Sequence, residues 1–160
     1  MTPAFLPPVS RPRTFATLSV ALLLSACAEE PPAWPTQTAG PGRFEVRVLV
    51  ERPALTALQS DIDRYVATRP VLVSWGGGTA DDIAATVKQG YRISVVVLPS
   101  GLALDRIRDE LVAPPTRLGT LGSQTYWAGS VDQYGLSLVR FLAGRTSQRV
   151  LRAQGFDVSP

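Results

Sequence analysis

Gly76-Gly77-Gly78-Thr79 is preceded by the apolar run Val71-Leu72-Val73-Ser74-Trp75 and followed by Asp81, Asp82 and the amphipathic run Ile83 to Gln89. This is the pattern of a strand, a glycine turn and a helix start. Three glycines remove every Cβ where a backbone turns sharply. The first turn of the helix behind them presents unpaired N–H groups, a geometry that suits a small anion. Gly76, Gly77, Gly78 and Thr79 are therefore candidate ligand-binding residues, with Arg52 as a positive group over the same surface. Tight strand-to-helix turns use glycine for their own sake, and a solvated arginine is common, so a purely structural role stands beside the binding one. The motif is neither Gly-x-x-x-x-Gly-Lys-Ser/Thr nor Gly-x-Gly-x-x-Gly. Asp81 and Asp82 are adjacent on a helix and point in different directions, which suits capping better than paired acid–base work.

The composition narrows the chemistry further. The chain has 160 residues, no histidine and one cysteine. The usual catalytic base and the commonest metal ligand are absent, and no intramolecular disulfide can form. The sequence gives no reason to expect an enzyme, a cofactor or a metal site.

Residues 1–26 read as a secretory leader: Arg11 and Arg13 precede the apolar stretch Phe15 to Leu24, which is too short to span a bilayer stably. Leu24-Ser25-Ala26-Cys27 follows and resembles the lipobox of bacterial lipoproteins. The resemblance implies that Cys27 is lipidated after cleavage and anchors the chain in the cell envelope. The anchor would lie on the outer side of the cytoplasmic membrane or, in a two-membrane cell, in the outer membrane. Losing Arg11 and Arg13 from the 16 basic residues leaves 14 against 13 acidic ones, which argues against a nucleic-acid partner. Residues 27–43 carry Pro31, Pro32, Pro35, Gly40, Pro41 and Gly42 and read as a tether.

Residues 44–160 form the expected domain. Phe44 to Val50 alternates as a strand, and Pro53 opens a helix with Leu55, Leu58, Ile62, Tyr65 and Val66 on one face. Asp61, Asp63 and Arg64 are expected on its solvated side. Arg69-Pro70 ends that helix, Thr79 caps the next, and Gly90 stops it. Val95-Val96-Val97 belongs to a strand buried on both faces, and Leu104, Ile107 and Leu111 mark a third helix. Thr116 to Ser123 reads as a loop, Thr125 to Val131 as a fourth strand, and Tyr134 to Ala143 as a helix. Thr146 is the expected cap of a last helix, closed by Gly155 and Phe156. The order argues an α/β fold: a three-layer, parallel-dominated sheet with flanking helices and the site loops at the strands' carboxyl ends. Those loops are Glu51 to Pro53, Gly76 to Thr79, and Pro99 to Gly101.

The closing run Phe141 to Phe156 resembles the end of bacterial periplasmic solute-binding proteins, in which two helices finish in a Gly-Phe pair. Leu55-Thr56-Ala57-Leu58, Gly78-Thr79-Ala80, Val87-Lys88-Gln89-Gly90 and Val95-Val96-Val97 are similar in order and spacing to the molybdate-binding branch. The resemblance implies one lobe of a type II periplasmic-binding-protein fold and a small oxyanion such as molybdate as ligand. It also implies an ABC permease or another envelope protein as partner. Such proteins clamp the ligand between two lobes, and here the chain passes from the third helix through Pro114-Pro115 almost directly to the returning strand. The alternative is an envelope scaffold in which the ligand site is vestigial.

Overall fold

The computed structural model describes residues 44–158. The leader, the tether, Cys27 and Trp34 lie outside the described residues.

Strand β1 (Phe44–Glu51) leads into helix α1 (Arg52–Ala67), strand β2 (Val71–Gly78) and helix α2 (Ala80–Lys88). Strand β3 (Val95–Pro99) and the short helix α3 (Leu102–Arg106) follow, with one 3-10 turn at Arg108–Glu110. Strands β4 (Thr116–Leu121) and β5 (Gln124–Ser130) form a hairpin before helices α4 (Leu136–Leu142) and α5 (Arg145–Ala153). The five strands make one sheet in the order β2-β1-β3-β5-β4. β1 is parallel to β2 and β3, whereas β5 is antiparallel to both β3 and β4. The sheet is therefore mixed, with two parallel and two antiparallel pairings, rather than parallel-dominated. The expectation failed at Thr116 to Leu121, which is a strand, not a loop. Gly119 and Gly122 there are hairpin glycines: both have positive φ, and a bulge falls between Arg117 and Gly119.

The strand order explains where the helices lie. From β1 the chain moves one way to β2, then returns past β1 to β3. Right-handed crossovers in opposite directions put their helices on opposite faces. Accordingly α1 packs with α4 and α5 over Val46, Val48, Val50, Val95 and Val97, and α2 and α3 pack over Leu49, Val96 and Leu98. Val95, Val96, Val97 and Leu98 are all fully buried, as a β-branched run in a central strand requires.

Several side chains depart from the sequence reading. Val66 lies on the exposed side of α1, whereas Asp61 is completely buried. Asp61 accepts from Arg64, and Arg64 also donates to Ser147 Oγ on α5 at 2.9 Å and lies over the Phe141 ring. Tertiary packing of α4 and α5 against α1 has thus covered a residue whose helical position looked solvated. Burial pushes the Asp61 carboxyl up, opposed by the nearby Arg64 charge and the Ser147 hydroxyl. Thr146 is not the cap of α5; the N-cap is Gly144, which supplies no side-chain bond. At the far end, Gly155 takes φ 94° and delivers Phe156 into the core.

Candidate functional site

The carboxyl ends of β1, β2 and β3 lie on one rim of the sheet. Because β4 runs parallel to β3 and β5 antiparallel, the hairpin tip Gly122-Ser123 joins them on that same rim. Strand order reverses at β1, so the crevice favoured by this topology lies between the loops after β1 and β3. Those loops are Glu51-Arg52 and Pro99 to Gly101.

Glu51 pairs with Gly78 in the β1–β2 register, which sets Arg52 and Thr79 on neighbouring chain continuations. Arg52 is the first residue of α1, with Pro53 behind it in the first turn. Its guanidinium is exposed, with no hydrogen-bond or ion-pair partner among the described residues. Gly76, Gly77 and Gly78 do not form a turn. They are the last three residues of β2, paired with Leu49, Val50 and Glu51. The small size of Gly77 and Gly78 serves packing. A Cβ at Gly77 would lie 2.9 Å from Leu55 Cδ2 and 3.5 Å from Arg52 Cγ, and a Cβ at Gly78 would lie 3.3 Å from Ile83 Cγ1. Gly77 thus admits the first turn of α1 on one face, and Gly78 admits α2 on the other.

Thr79 is the N-cap of α2, and its bonds are already made. The Asp82 amide donates to Thr79 Oγ1 at 3.2 Å, while the Thr79 hydroxyl and amide donate to Asp82 Oδ2 at 2.5 and 3.4 Å. This is a complete capping box. An incoming anion would find those donors engaged by a carboxylate. Asp81 points elsewhere and pairs with Arg106 at 2.8 Å on α3.

Sequence reasoning missed the group that fills the crevice. Tyr126, buried on β5, extends across the end of β3 to donate to Glu51 Oε2, and the Gln124 side-chain amide lies 3.1 Å from the same phenol oxygen. Burial raises the Tyr126 pKa, and the neighbouring Glu51 carboxylate raises it further, so the phenol stays a neutral donor at every physiological pH. The sequence signal was an acid at a strand's carboxyl end, Glu51, directly before Arg52-Pro53.

Beside the third loop lies a cavity of about 400 Å³ lined by Ser100, Gly101, Leu104, Asp105, Arg108 and Trp127 and walled by Pro114 and Pro115. Arg108 is paired with Asp105 at 2.8 Å. The Trp127 indole nitrogen is buried nearby without a hydrogen-bond partner. Among the described residues no group of three or more acidic, Cys or His side chains converges on a metal position, and no helix is long and apolar enough to cross a membrane. Chemically, the rim offers an unpaired cation at Arg52, a closed helix cap at Thr79 and a Glu51 carboxylate that accepts from the Tyr126 phenol. The chain matches no family model and no curated protein.

Proposed function

We propose that this chain is a membrane-tethered lipoprotein whose α/β domain is a single solute-binding-type lobe, anchored through Cys27 and taking a small oxyanion such as molybdate weakly at Arg52 and Thr79. An ABC permease or another envelope protein is its partner. The observation that carries this reading is that Arg52, Thr79 and the β4–β5 hairpin tip share one rim of the sheet. A second lobe must leave and re-enter the first through two neighbouring strand ends on the ligand's rim. Leu121 and Gln124 are such a pair, joined here by Gly122 and Ser123 alone. That arrangement supports descent from a two-lobed protein of the type II class with one lobe reduced to a turn.

A second reading has its own support: an envelope scaffold with a vestigial site. The Asp82 carboxylate occupies the donors at Thr79 that an oxyanion would use, and each helix-end charge interaction is worth roughly 0.3–1 kcal/mol. Any oxyanion is therefore held no tighter than about millimolar. The deciding experiment is an NMR titration of the labelled protein with molybdate, tungstate, sulfate and phosphate. Shifts at Arg52 and Gly77 to Thr79 support the oxyanion site. No response there at tens of millimolar, set against this millimolar expectation, leaves the scaffold reading in place. Anchoring is tested separately with a tagged fatty acid: label should enter the wild type and not Cys27→Ser, and equal label in both would refute the anchor.

A further inference from the structure

Among the described residues six large apolar side chains are exposed, and they are not spread evenly. Five stand where β1, β2 and β3 begin. Phe44 opens β1, Val66 lies in the last turn of α1, and Tyr91 lies between α2 and β3. Val112 donates its N–H to Ser130 O at the end of β5, and Tyr134 lies between β5 and α4. Only Leu102 stands at the opposite rim, with Arg52 and Thr79. All three exposed aromatic residues are therefore on the amino-end rim. Phe44 is 63% and Tyr134 51% exposed although their rings stack at 5.6 Å. Clustered apolar side chains left in water mark an interaction site, whereas scattered ones do not. The three loops around Phe44 add two exposed guanidiniums, Arg69 over the Tyr65 ring and Arg92 beside Glu45. The one acid in those loops, Asp132, is held by the Ser94 hydroxyl at 2.8 Å and the Gly135 amide at 2.9 Å.

We propose that this rim seats in the headgroup layer of a phospholipid bilayer, with Phe44, Tyr91 and Tyr134 among the headgroups and Arg69 and Arg92 reaching their phosphates. The course of the chain selects a lipid surface. Phe44 is where the domain joins the segment leading back to Cys27, seventeen residues earlier in the sequence. Even fully extended, that segment reaches only about 60 Å. A lipid on Cys27 therefore keeps the domain beside a bilayer and presents its amino-end rim first. The side chains suit that layer. A tyrosine ring settles at the boundary with its hydroxyl in water, and an arginine lays its stem on apolar surface while its charge stays with the headgroups. Seated so, the domain holds the rim with Arg52 and Thr79 about 26 Å away, the length of an eight-residue strand. The proposal rests on the Cys27 anchor and not on any ligand.

The test is paramagnetic broadening in NMR spectra of the labelled full chain on nanodiscs of equimolar phosphatidylcholine and phosphatidylglycerol carrying a headgroup nitroxide. The chain is coupled to a maleimide lipid through Cys27, its one cysteine. The geometry is then read whether or not cells lipidate Cys27, which the fatty-acid label decides separately. The expected result is broadening of the Phe44, Arg69, Tyr91, Arg92 and Tyr134 amides, with Arg52, Ser100 and Ser123 left sharp. Tethering alone biases the same rim, so substitutions supply the decisive comparison. Phe44→Ser with Tyr134→Ser, and Tyr134→Ser by itself, should reduce the contrast between the rims severalfold. Both side chains are exposed, so the fold is kept. Leu102→Ser, on the opposite rim, should leave the contrast unchanged. Equal broadening of the two rims overturns the proposal, as does stronger broadening at Arg52 and Ser100. A contrast that survives loss of both Phe44 and Tyr134 overturns it too, because the tether would then suffice.

Discussion

The Thr79 hydroxyl and the Asp82 carboxylate are each other's partner, and their closed ring occupies the N-terminus of α2. The donors that made Thr79 a candidate ligand residue are thereby spent on the fold. Asp82→Asn should strengthen the response of Thr79 to added oxyanions, because it removes the carboxylate at those donors. Asp81→Asn should do little, since Asp81 is committed to Arg106. Thr79→Ala should cost about 1 kcal/mol of stability through the lost cap. Chemical-shift titration and urea unfolding of the three variants separate these effects; equal anion responses for the two asparagine variants would contradict the argument.

Asp61 predicts a specific slope of stability with pH. Its folded pKa is raised, so the folded protein binds more protons than the unfolded chain between the ordinary carboxylate value and the raised one. The favourable contribution is full below the ordinary value and is lost as pH rises through the raised value. Glu45 works the other way: hydrogen bonding from Arg47 lowers its pKa, so its contribution is present above the ordinary value and lost as pH falls. Subtracting the urea-unfolding profile of Asp61→Asn from that of the wild type isolates the Asp61 slope. A flat difference between pH 4 and 7, the window about the carboxylate values, would show that burial does not shift Asp61.

What the sequence revealed and what it concealed follow a physical division. Val95 to Val97 and the Thr79–Asp82 box were legible because strand burial and helix capping are local rules written in adjacent residues. Gly76 to Gly78 misled because a glycine run looks the same whether it turns or admits neighbours; only the approach of Leu55 and Ile83 distinguishes them. Asp61 misled because the groups that engage it and its partner Arg64, Ser147 and Phe141, come from helices some eighty residues away. The Glu51–Tyr126 bond across β3 was likewise invisible, since the antiparallel insertion of β5 that creates it is a property of the whole sheet.

Glycine substitutions provide a graded test of packing. A Cβ at Gly135 would lie 2.2 Å from Ser94 O and 2.5 Å from Ser130 Oγ, where backbone and a buried hydroxyl cannot yield cheaply. Gly135→Ala should cost about 3 kcal/mol, near the upper end for overpacking. Gly77→Ala meets a flexible Leu55 methyl at 2.9 Å and should cost less. Gly90→Ala meets nothing, and its φ of 77° alone should cost about 1 kcal/mol. The ranking is read from thermal unfolding, and a Gly135→Ala protein as stable as Gly90→Ala would show that the α4 turn is not closely packed.

The C-terminal segment should be required for cooperative folding. Leu151, Phe156 and Val158 are buried in the same core as β1 and β3, and Phe156 meets the Tyr126 ring edge-on at 5.8 Å. Large apolar deletions cost about 2–5 kcal/mol each, and a domain's whole stability is about 5–15 kcal/mol. Deleting Arg145 to Pro160 should therefore abolish a cooperative transition. Deleting only Asp157 to Pro160 retains Leu151 and Phe156 but removes Val158 and uncovers β4, so that chain should unfold cooperatively at lower denaturant and associate through its newly open edge. Calorimetry and light scattering of the two truncations distinguish loss of core from loss of edge protection. A full truncation that melts like the intact protein would mean that α5 is not part of the folding unit.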